Sequence, residues 1–123
     1  MKGLKILLID DEKEFVTTLA ERLEIRGFFC ETALDGEAGL EHMEKKDFDI
    51  VVVDLMMPGL TGLDVLKKIK ASNYECPVIL LTGHGSTKEG IEGMRIGAYD
   101  YLMKPINIED LIEKISDAVT KKQ

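Results

Sequence analysis

Basic residues are scarce in this sequence relative to acidic ones. Its 16 lysines and arginines face 23 aspartates and glutamates, which gives a net charge of −7 over 123 residues. Nucleic-acid backbones attract basic surfaces and repel acidic ones, so direct nucleic-acid binding by this chain is not expected. A basic partner or a divalent cation suits the charge better.

Long apolar runs and paired cysteines are also lacking. No run comes near the roughly 20 residues of a membrane-spanning helix, and the short run at 4–9 ends in carboxylates with no small-residue cleavage site after it. Neither a membrane span nor a signal peptide is therefore expected. Cys30 and Cys76 do not have metal-ligand spacing and are expected to be reduced thiols of a cytoplasmic protein.

What the sequence does contain is a regular alternation of apolar runs and helical patterns. The runs lie at 4–9, 28–32, 50–53, 78–81 and 99–103. Each is followed by a helical pattern of apolar residues, of which the fourth, at about 88–96, contains Gly90 and Gly93. These glycines either weaken that helix or allow close packing. Five strand–helix units predict a doubly wound parallel sheet, with the more polar second and fifth runs at its edges.

Polar side chains follow four of these runs at the point where each run ends. They are Asp10, Asp11, Asp54, Thr82 and Lys104. Parallel sheets bind ligands at the carboxyl ends of their strands, where these side chains are expected to converge. Each has a simpler explanation when taken alone: the first two carboxylates or the threonine can cap a helix or turn, and the lysine can be a solvated loop residue. Because all five side chains lie at the carboxyl ends of strands, the pattern as a whole favours a ligand-binding site.

Three carboxylates packed together repel one another, so the cluster needs a counter-charge or raised pKa values. A pocket of oxygen ligands suits Mg²⁺ (or Mn²⁺), which uses carboxylates together with phosphoryl oxygens. Lys104 can supply further positive charge, and Thr82 can donate a hydrogen bond to a phosphoryl oxygen. Because a carboxylate beside a metal can act as a nucleophile and form an acyl phosphate, the pattern indicates an aspartate phosphorylation centre.

Over essentially its whole length, the sequence resembles the receiver domain of two-component response regulators. The matching segments are "LLIDDE", "VVVDLMMPGLTGLDVL", "VILLTGHGS" and "GAYDYLMKP", followed by an amphipathic last helix. The resemblance implies a flavodoxin-like (βα)5 fold with strand order 2-1-3-4-5. It also implies that residues 1–123 form a single receiver domain.

The resemblance assigns the metal and phosphorylation roles to particular residues. Asp54 would be the phosphoacceptor. Asp11 and Asp54 would bind Mg²⁺ directly, together with the backbone carbonyl of Met56, and Asp10 would act chiefly through water.

Further roles concern the phosphoryl group and the response to it. Thr82 and Lys104 would hold the phosphoryl group, and Tyr101 would occupy the aromatic switch position. The peptide bond before Pro105 would be cis, a geometry that is accessible before proline. His84 would lie at the rim of the site, where the resemblance gives it an influence on phosphoryl loss.

The implied function is phosphorelay signalling. A phosphohistidine on a histidine kinase or a histidine phosphotransfer domain would donate to Asp54 in a Mg²⁺-dependent reaction. The face formed by the fourth helix, fifth strand and fifth helix would then change shape. The binding partner of this face would be a downstream protein, an attached output domain that controls transcription, or a second copy in a homodimer. Such a domain catalyses its own phosphotransfer and autodephosphorylation but is mainly a cytoplasmic signalling switch.

Other classes fit the residues less well. Asp10 and Asp11 would repel a flavin phosphate, and a haloacid-dehalogenase-type phosphatase needs a second aspartate where this chain has Met56. No GxxxxGK[ST] loop is present for an NTPase. The alternative that stays open is a receiver-fold interaction module that signals without phosphorylation.

Overall fold

The computed structural model of the chain describes residues 3–72, 74–83 and 87–122. Strands and helices alternate along it. The strands are β1 (Lys5–Ile9), β2 (Phe29–Ala33), β3 (Ile50–Asp54), β4 (Val78–Thr82) and β5 (Asp100–Met103). The helices are α1 (Lys13–Ile25), α2 (Gly36–Lys45), α3 (Gly62–Ala71), α4 (Thr87–Ile96) and α5 (Ile108–Lys122). Within these residues no helix has the length and apolar character needed to cross a membrane.

The five strands form one parallel sheet in the order β2-β1-β3-β4-β5. This confirms the doubly wound, flavodoxin-like architecture. Every strand begins and ends within one residue of its predicted bounds, and the more polar β2 and β5 are the edges. Cys30, on β2, and Cys76, just before β4, are not joined by a disulfide.

The sheet separates two apolar layers. Successive side chains of a strand point to opposite faces, so Ile6 and Leu8 of β1 pack with α1 and α5. Leu7 and Ile9 of the same strand pack in the opposite layer with α2 and α3. All five residues of β3 are buried, as expected for a central strand covered on both sides.

Gly27 ends α1, two residues after the last helical residue. Its φ of 97° lies in the left-handed region that glycine adopts without strain. The Gly27 N–H donates to Glu24 O at 3.0 Å, and the Phe28 N–H donates to Leu23 O at 3.2 Å. This pair of bonds is a Schellman cap, which turns the chain directly into β2.

Helix α3 begins in direct contact with the end of β3. A Cβ atom on Gly62 would lie 2.5 Å from the backbone oxygen of Asp54, so no side chain fits there. The Gly62 N–H donates to Leu55 O at 2.9 Å. Thr61 and Asp64 form a capping box that fixes the first turn of the helix. The loop between β3 and α3 is thereby held against the sheet edge.

The two glycines of α4 have different surroundings. A Cβ on Gly93 would lie 2.2 Å from Cδ1 of the buried Leu80, whereas a Cβ on Gly90 would lie 3.4 Å from Cδ2 of Tyr101. Gly93 therefore allows the helix to pack closely on β4. Gly90 would make an ordinary contact if it carried a methyl group.

Candidate functional site

The carboxyl ends of three neighbouring strands bring the predicted side chains together. Asp54 is the last residue of β3, Thr82 is the last residue of β4, and Asp10 follows β1 directly. All three are buried. The Lys104 N–H donates to Thr82 O at 2.7 Å, which continues the strand pairing to the loop that carries the lysine. The sheet itself therefore fixes the positions of these side chains.

The three predicted carboxylates form one cluster. Asp10, Asp11 and Asp54 each offer an oxygen, and these oxygens all lie within 4.8 Å of one another. Asp11 is exposed, so the cluster opens to solvent on one side. Asp10 Oδ1 accepts a hydrogen bond from the Glu12 N–H at 2.9 Å.

Lys104 provides the counter-charge that the cluster was predicted to need. Its Nζ lies 2.9 Å from Asp10 Oδ2, 3.8 Å from Asp54 Oδ1 and 2.6 Å from Glu12 Oε1. The same atom lies 4.4 Å from the centre of the Phe15 ring. With its side chain 17% exposed, the lysine bridges the acidic cluster and the first turn of α1.

Burial shifts the acid–base properties of the cluster. It raises the pKa of Asp54 to about 6, and the neighbouring Asp10 charge adds to the rise. The Lys104 charge and a hydrogen bond from the Met56 N–H oppose it. Burial also raises the pKa of Asp10. Burial lowers the pKa of Lys104, but the contacts with Glu12 and Asp10 raise it by more. Its pKa is therefore raised overall, and the side chain stays an ammonium.

The residues present fit a divalent cation. Asp10 Oδ2 is buried and, apart from its 2.9 Å ion pair with Lys104, has no hydrogen-bond partner among the described residues. Hard cations such as Mg²⁺ bind carboxylate oxygens of this kind. Asp10, Asp11 and Asp54 would hold the ion. The Met56 side chain is exposed, and the expected role of its carbonyl stays a prediction.

The residues expected to respond to a phosphoryl group lie on the two strands that follow β3 in the sheet, β4 and β5. Thr82 Oγ1 donates a long hydrogen bond, 3.4 Å, to Leu102 O. Tyr101 is half-buried and its ring lies next to α4. The peptide bond between Lys104 and Pro105 is cis. His84 lies outside the described residues.

Sequence reasoning missed two residues of the site, Glu12 and Phe15. Glu12 directly follows the acidic pair, and Phe15 lies three residues further along the chain. Glu12 occupies the N-cap position of α1 without making a side-chain capping bond. The simpler explanation that Asp10 or Asp11 occupies this N-cap is therefore wrong, although the Asp10 carboxylate does accept the Glu12 N–H.

A comparison with protein families identifies the domain. The family model of the response regulator receiver domain matches residues 6–116. The chain belongs to this family. It is thus a receiver domain of the two-component response regulators. Receiver domains of this family act with histidine kinases and attached output domains, and bind Mg²⁺ in an acidic pocket.

Two transcriptional regulatory proteins are similar to most of this chain. The transcriptional regulatory protein CpxR of Escherichia coli K12 is 40% identical over 111 residues, which are 90% of this chain and 47% of CpxR. The uncharacterised transcriptional regulatory protein YkoG of Bacillus subtilis is 36% identical over 114 residues, covering 93% of this chain and 50% of YkoG. The chain thus spans about half the length of these receiver-containing relatives.

Two solved structures show how closely the backbone follows other receivers. A receiver domain protein from Clostridium thermocellum superposes with a TM-score of 0.92 at 38% identity, covering 97% of this chain and 96% of the other. Full-length FixJ from B. japonicum superposes with a TM-score of 0.93 at 32% identity, covering all of this chain and 61% of FixJ.

Proposed function

We propose that Asp54 accepts a phosphoryl group from the phosphohistidine of a partner kinase or histidine phosphotransfer domain. The observation that carries the proposal is the position of this carboxylate. It is buried at the end of a central strand, in one cluster with Asp10 and Asp11, and 3.8 Å from the Lys104 ammonium.

In the proposed step an oxygen of Asp54 forms a bond to phosphorus as the phosphorus–nitrogen bond of the phosphohistidine breaks. The bonding electron pair leaves with the imidazole nitrogen, and an acyl phosphate remains on Asp54. With a pKa of about 6, Asp54 is mostly ionised at neutral pH and can act as the nucleophile. Lys104 is near enough to offset the charge of the phosphoryl oxygens. A bound Mg²⁺ would supply further neutralisation of that charge.

The same phosphoryl group would change the positions of the Thr82 and Tyr101 side chains. The bond from Thr82 Oγ1 to Leu102 O is long, at 3.4 Å, so little is lost when the hydroxyl turns to a phosphoryl oxygen. Tyr101 then moves towards the space that the threonine leaves. We propose that this movement changes the surface formed by α4, β5 and α5.

That surface carries exposed apolar side chains that suit a protein partner. Ile91 and Met94 of α4 and Met103 of β5 are all exposed. We propose that the surface contacts a downstream protein, an attached output domain or a second copy in a homodimer. Because CpxR and YkoG are transcriptional regulatory proteins about twice as long, the proposed output is transcription through an attached domain. In this proposal residues 1–123 form one receiver domain in the cytoplasm.

The test is labelling with a small phosphodonor in the presence of Mg²⁺. Wild type is expected to take up the label on an aspartate and Asp54→Asn to take up none. Asp47→Asn is the matched control, since Asp47 is an exposed acid away from the site, and it should behave as wild type. Labelling of Asp54→Asn at the wild-type rate would disprove the assignment.

A Mg²⁺ titration separates this function from that of an interaction module that signals without phosphorylation. The proposed function predicts amide shifts at Asp10, Asp11 and Asp54 as the ion is added. Unchanged amide spectra would favour the module instead.

A further inference from the structure

The Lys104 ammonium contacts Asp10 Oδ2 at 2.9 Å, and two further side chains at the start of α1 also hold it. They are Glu12, the N-cap residue, and Phe15, in the first turn. Glu12 Oε1 lies 2.6 Å from Lys104 Nζ and accepts its hydrogen bond. The Phe15 ring lies on another side, with its centre 4.4 Å from Nζ. Asp54 Oδ1, at 3.8 Å, lies farther from Nζ than the Glu12 oxygen does. The lysine is therefore bound more closely to Glu12 than to Asp54.

The position of Glu12 indicates that this contact is a specific one. Glu12 is the N-cap residue of α1, where short polar side chains normally accept a backbone N–H of the first turn. Its side chain makes no such bond. It reaches instead to a lysine 92 residues away in the sequence.

We propose that Glu12 and Phe15 are positioning residues that hold the Lys104 ammonium until Asp54 is phosphorylated. Glu12 then sets how readily the lysine is released to the phosphoryl group. This inference rests on the proposed function, because it takes the phosphoryl group on Asp54 as the competitor for Lys104.

The geometry supports a competition between Glu12 and the phosphoryl group. An ammonium that moves from 3.8 Å into hydrogen-bond contact at Asp54 moves out of its 2.6 Å contact with Glu12 or must share it. The Glu12 side chain is 62% exposed, so its carboxylate returns to water easily when the lysine leaves. The Phe15 ring attracts the cation but has no negative charge to compete with a phosphoryl oxygen.

The first test measures the affinity for beryllofluoride, a phosphoryl mimic, in the presence of Mg²⁺. Glu12→Gln keeps the size of the side chain and removes its charge, so Lys104 is released more readily. We expect the affinity to rise by roughly 2- to 5-fold, which is the range for a partly exposed ion pair.

Glu14→Gln is the matched control for the first test. Glu14 lies in the first turn of α1, two residues after Glu12, and is exposed, so its substitution removes the same charge from the same region. It therefore measures how much affinity changes through long-range repulsion alone. A gain in Glu12→Gln no larger than that in Glu14→Gln would overturn the proposal.

The second test needs neither metal nor phosphoryl mimic. In metal-free protein the Lys104 ammonium should give a protected proton–nitrogen NMR signal, because Nζ contacts both Glu12 and Asp10. Its protons should exchange with water faster in Glu12→Gln than in Glu14→Gln, because only the first variant loses one of these two contacts. Phe15→Leu should shift the Lys104 methylene signals by removing the ring current. An unchanged Lys104 signal in Glu12→Gln would overturn the proposal.

The two tests also separate this inference from the proposed function. If wild type does not bind beryllofluoride, the proposed function fails, whereas the ammonium signal still reports the contact with Glu12. If wild type binds it and Glu12→Gln matches Glu14→Gln, the proposed function stands and the positioning role fails.

Discussion

Asp54 combines two properties that oppose each other, burial and charge. The four residues before it are buried in the central strand, and its own side chain is only 7% exposed. A carboxylate in such a place is costly to ionise, and the neighbouring Asp10 charge increases the cost. Lys104 offsets part of it. The result is a carboxylate that is fixed in position and stabilised by added positive charge.

A pH-dependent stability difference is expected from this carboxylate. The folded-state pKa of Asp54 is raised from 3.8 to about 6, so between these values the folded protein binds more protons than the unfolded chain. Wild type therefore loses stability as pH rises through this window. Asp54→Asn should raise the free energy of unfolding by about 1–3 kcal/mol at about pH 7.5 in metal-free buffer. Near pH 4 most of the gain should disappear.

Urea unfolding at the two pH values measures this difference. Asp47→Asn, which changes an exposed acid, should show little effect at either pH. If Asp54→Asn raised the free energy of unfolding equally at both pH values, the charge of Asp54 would not be the cause of the added stability.

At this scale the sequence predicts those site residues that directly end a strand. Asp10, Asp54 and Thr82 could be found because a parallel sheet gathers strand ends at one edge. Glu12 and Phe15 could not be found in that way. Their contact with Lys104 spans most of the chain and depends on the direction in which α1 leaves the sheet, which no local pattern encodes.

At the scale of the elements, Gly93 makes a very close contact between α4 and the sheet. Gly93 packs against the buried Leu80, which has no solvent-facing space into which it could move. Gly93→Ala is therefore expected to lower the free energy of unfolding by about 1–2 kcal/mol, since overpacking outweighs the better helix propensity of alanine.

Gly90→Ala is the matched comparison on the same helix. Its methyl group would make an ordinary contact with Tyr101, so helix propensity dominates and the stability should be unchanged or raised by up to about 1 kcal/mol. Thermal or urea unfolding measures both variants. Equal destabilisation by the two substitutions would contradict a specific role for the Gly93–Leu80 contact.

The strands could be predicted to within about one residue because their signals are local. Apolar runs covered on both faces mark the central strands, and Gly27 marks the end of α1. The reason for Gly93 could not be predicted from the sequence. It depends on which side of β4 Leu80 occupies and how closely α4 approaches it.

At the scale of the whole molecule, the acidic cluster connects stability to the concentration of a divalent cation. An ion that binds the folded state and not the unfolded chain stabilises the fold by RT ln(1 + [L]/Kd), about 2.7 kcal/mol at 100 times Kd. Millimolar Mg²⁺ should therefore raise the melting temperature of wild type, and a chelator should reverse the effect.

Asp11→Asn tests where the ion binds. Asp11 is exposed, so its substitution should leave the metal-free melting temperature nearly unchanged while reducing the rise caused by Mg²⁺. Asp47→Asn should retain the full rise. If Mg²⁺ raised the melting temperature of Asp11→Asn as much as that of wild type, the ion would bind outside the acidic cluster.

The contact at Gly62 has a consequence for engineering. The backbone at the start of α3 touches the backbone of the Asp54 residue, so the segment 54–62 behaves as one preassembled unit. A chimaera that took β3 from this chain and α3 from another receiver would have its junction inside that unit. Residues 54–62 are best exchanged as a single block, with crossover points placed in the strand before it or in the helix after it.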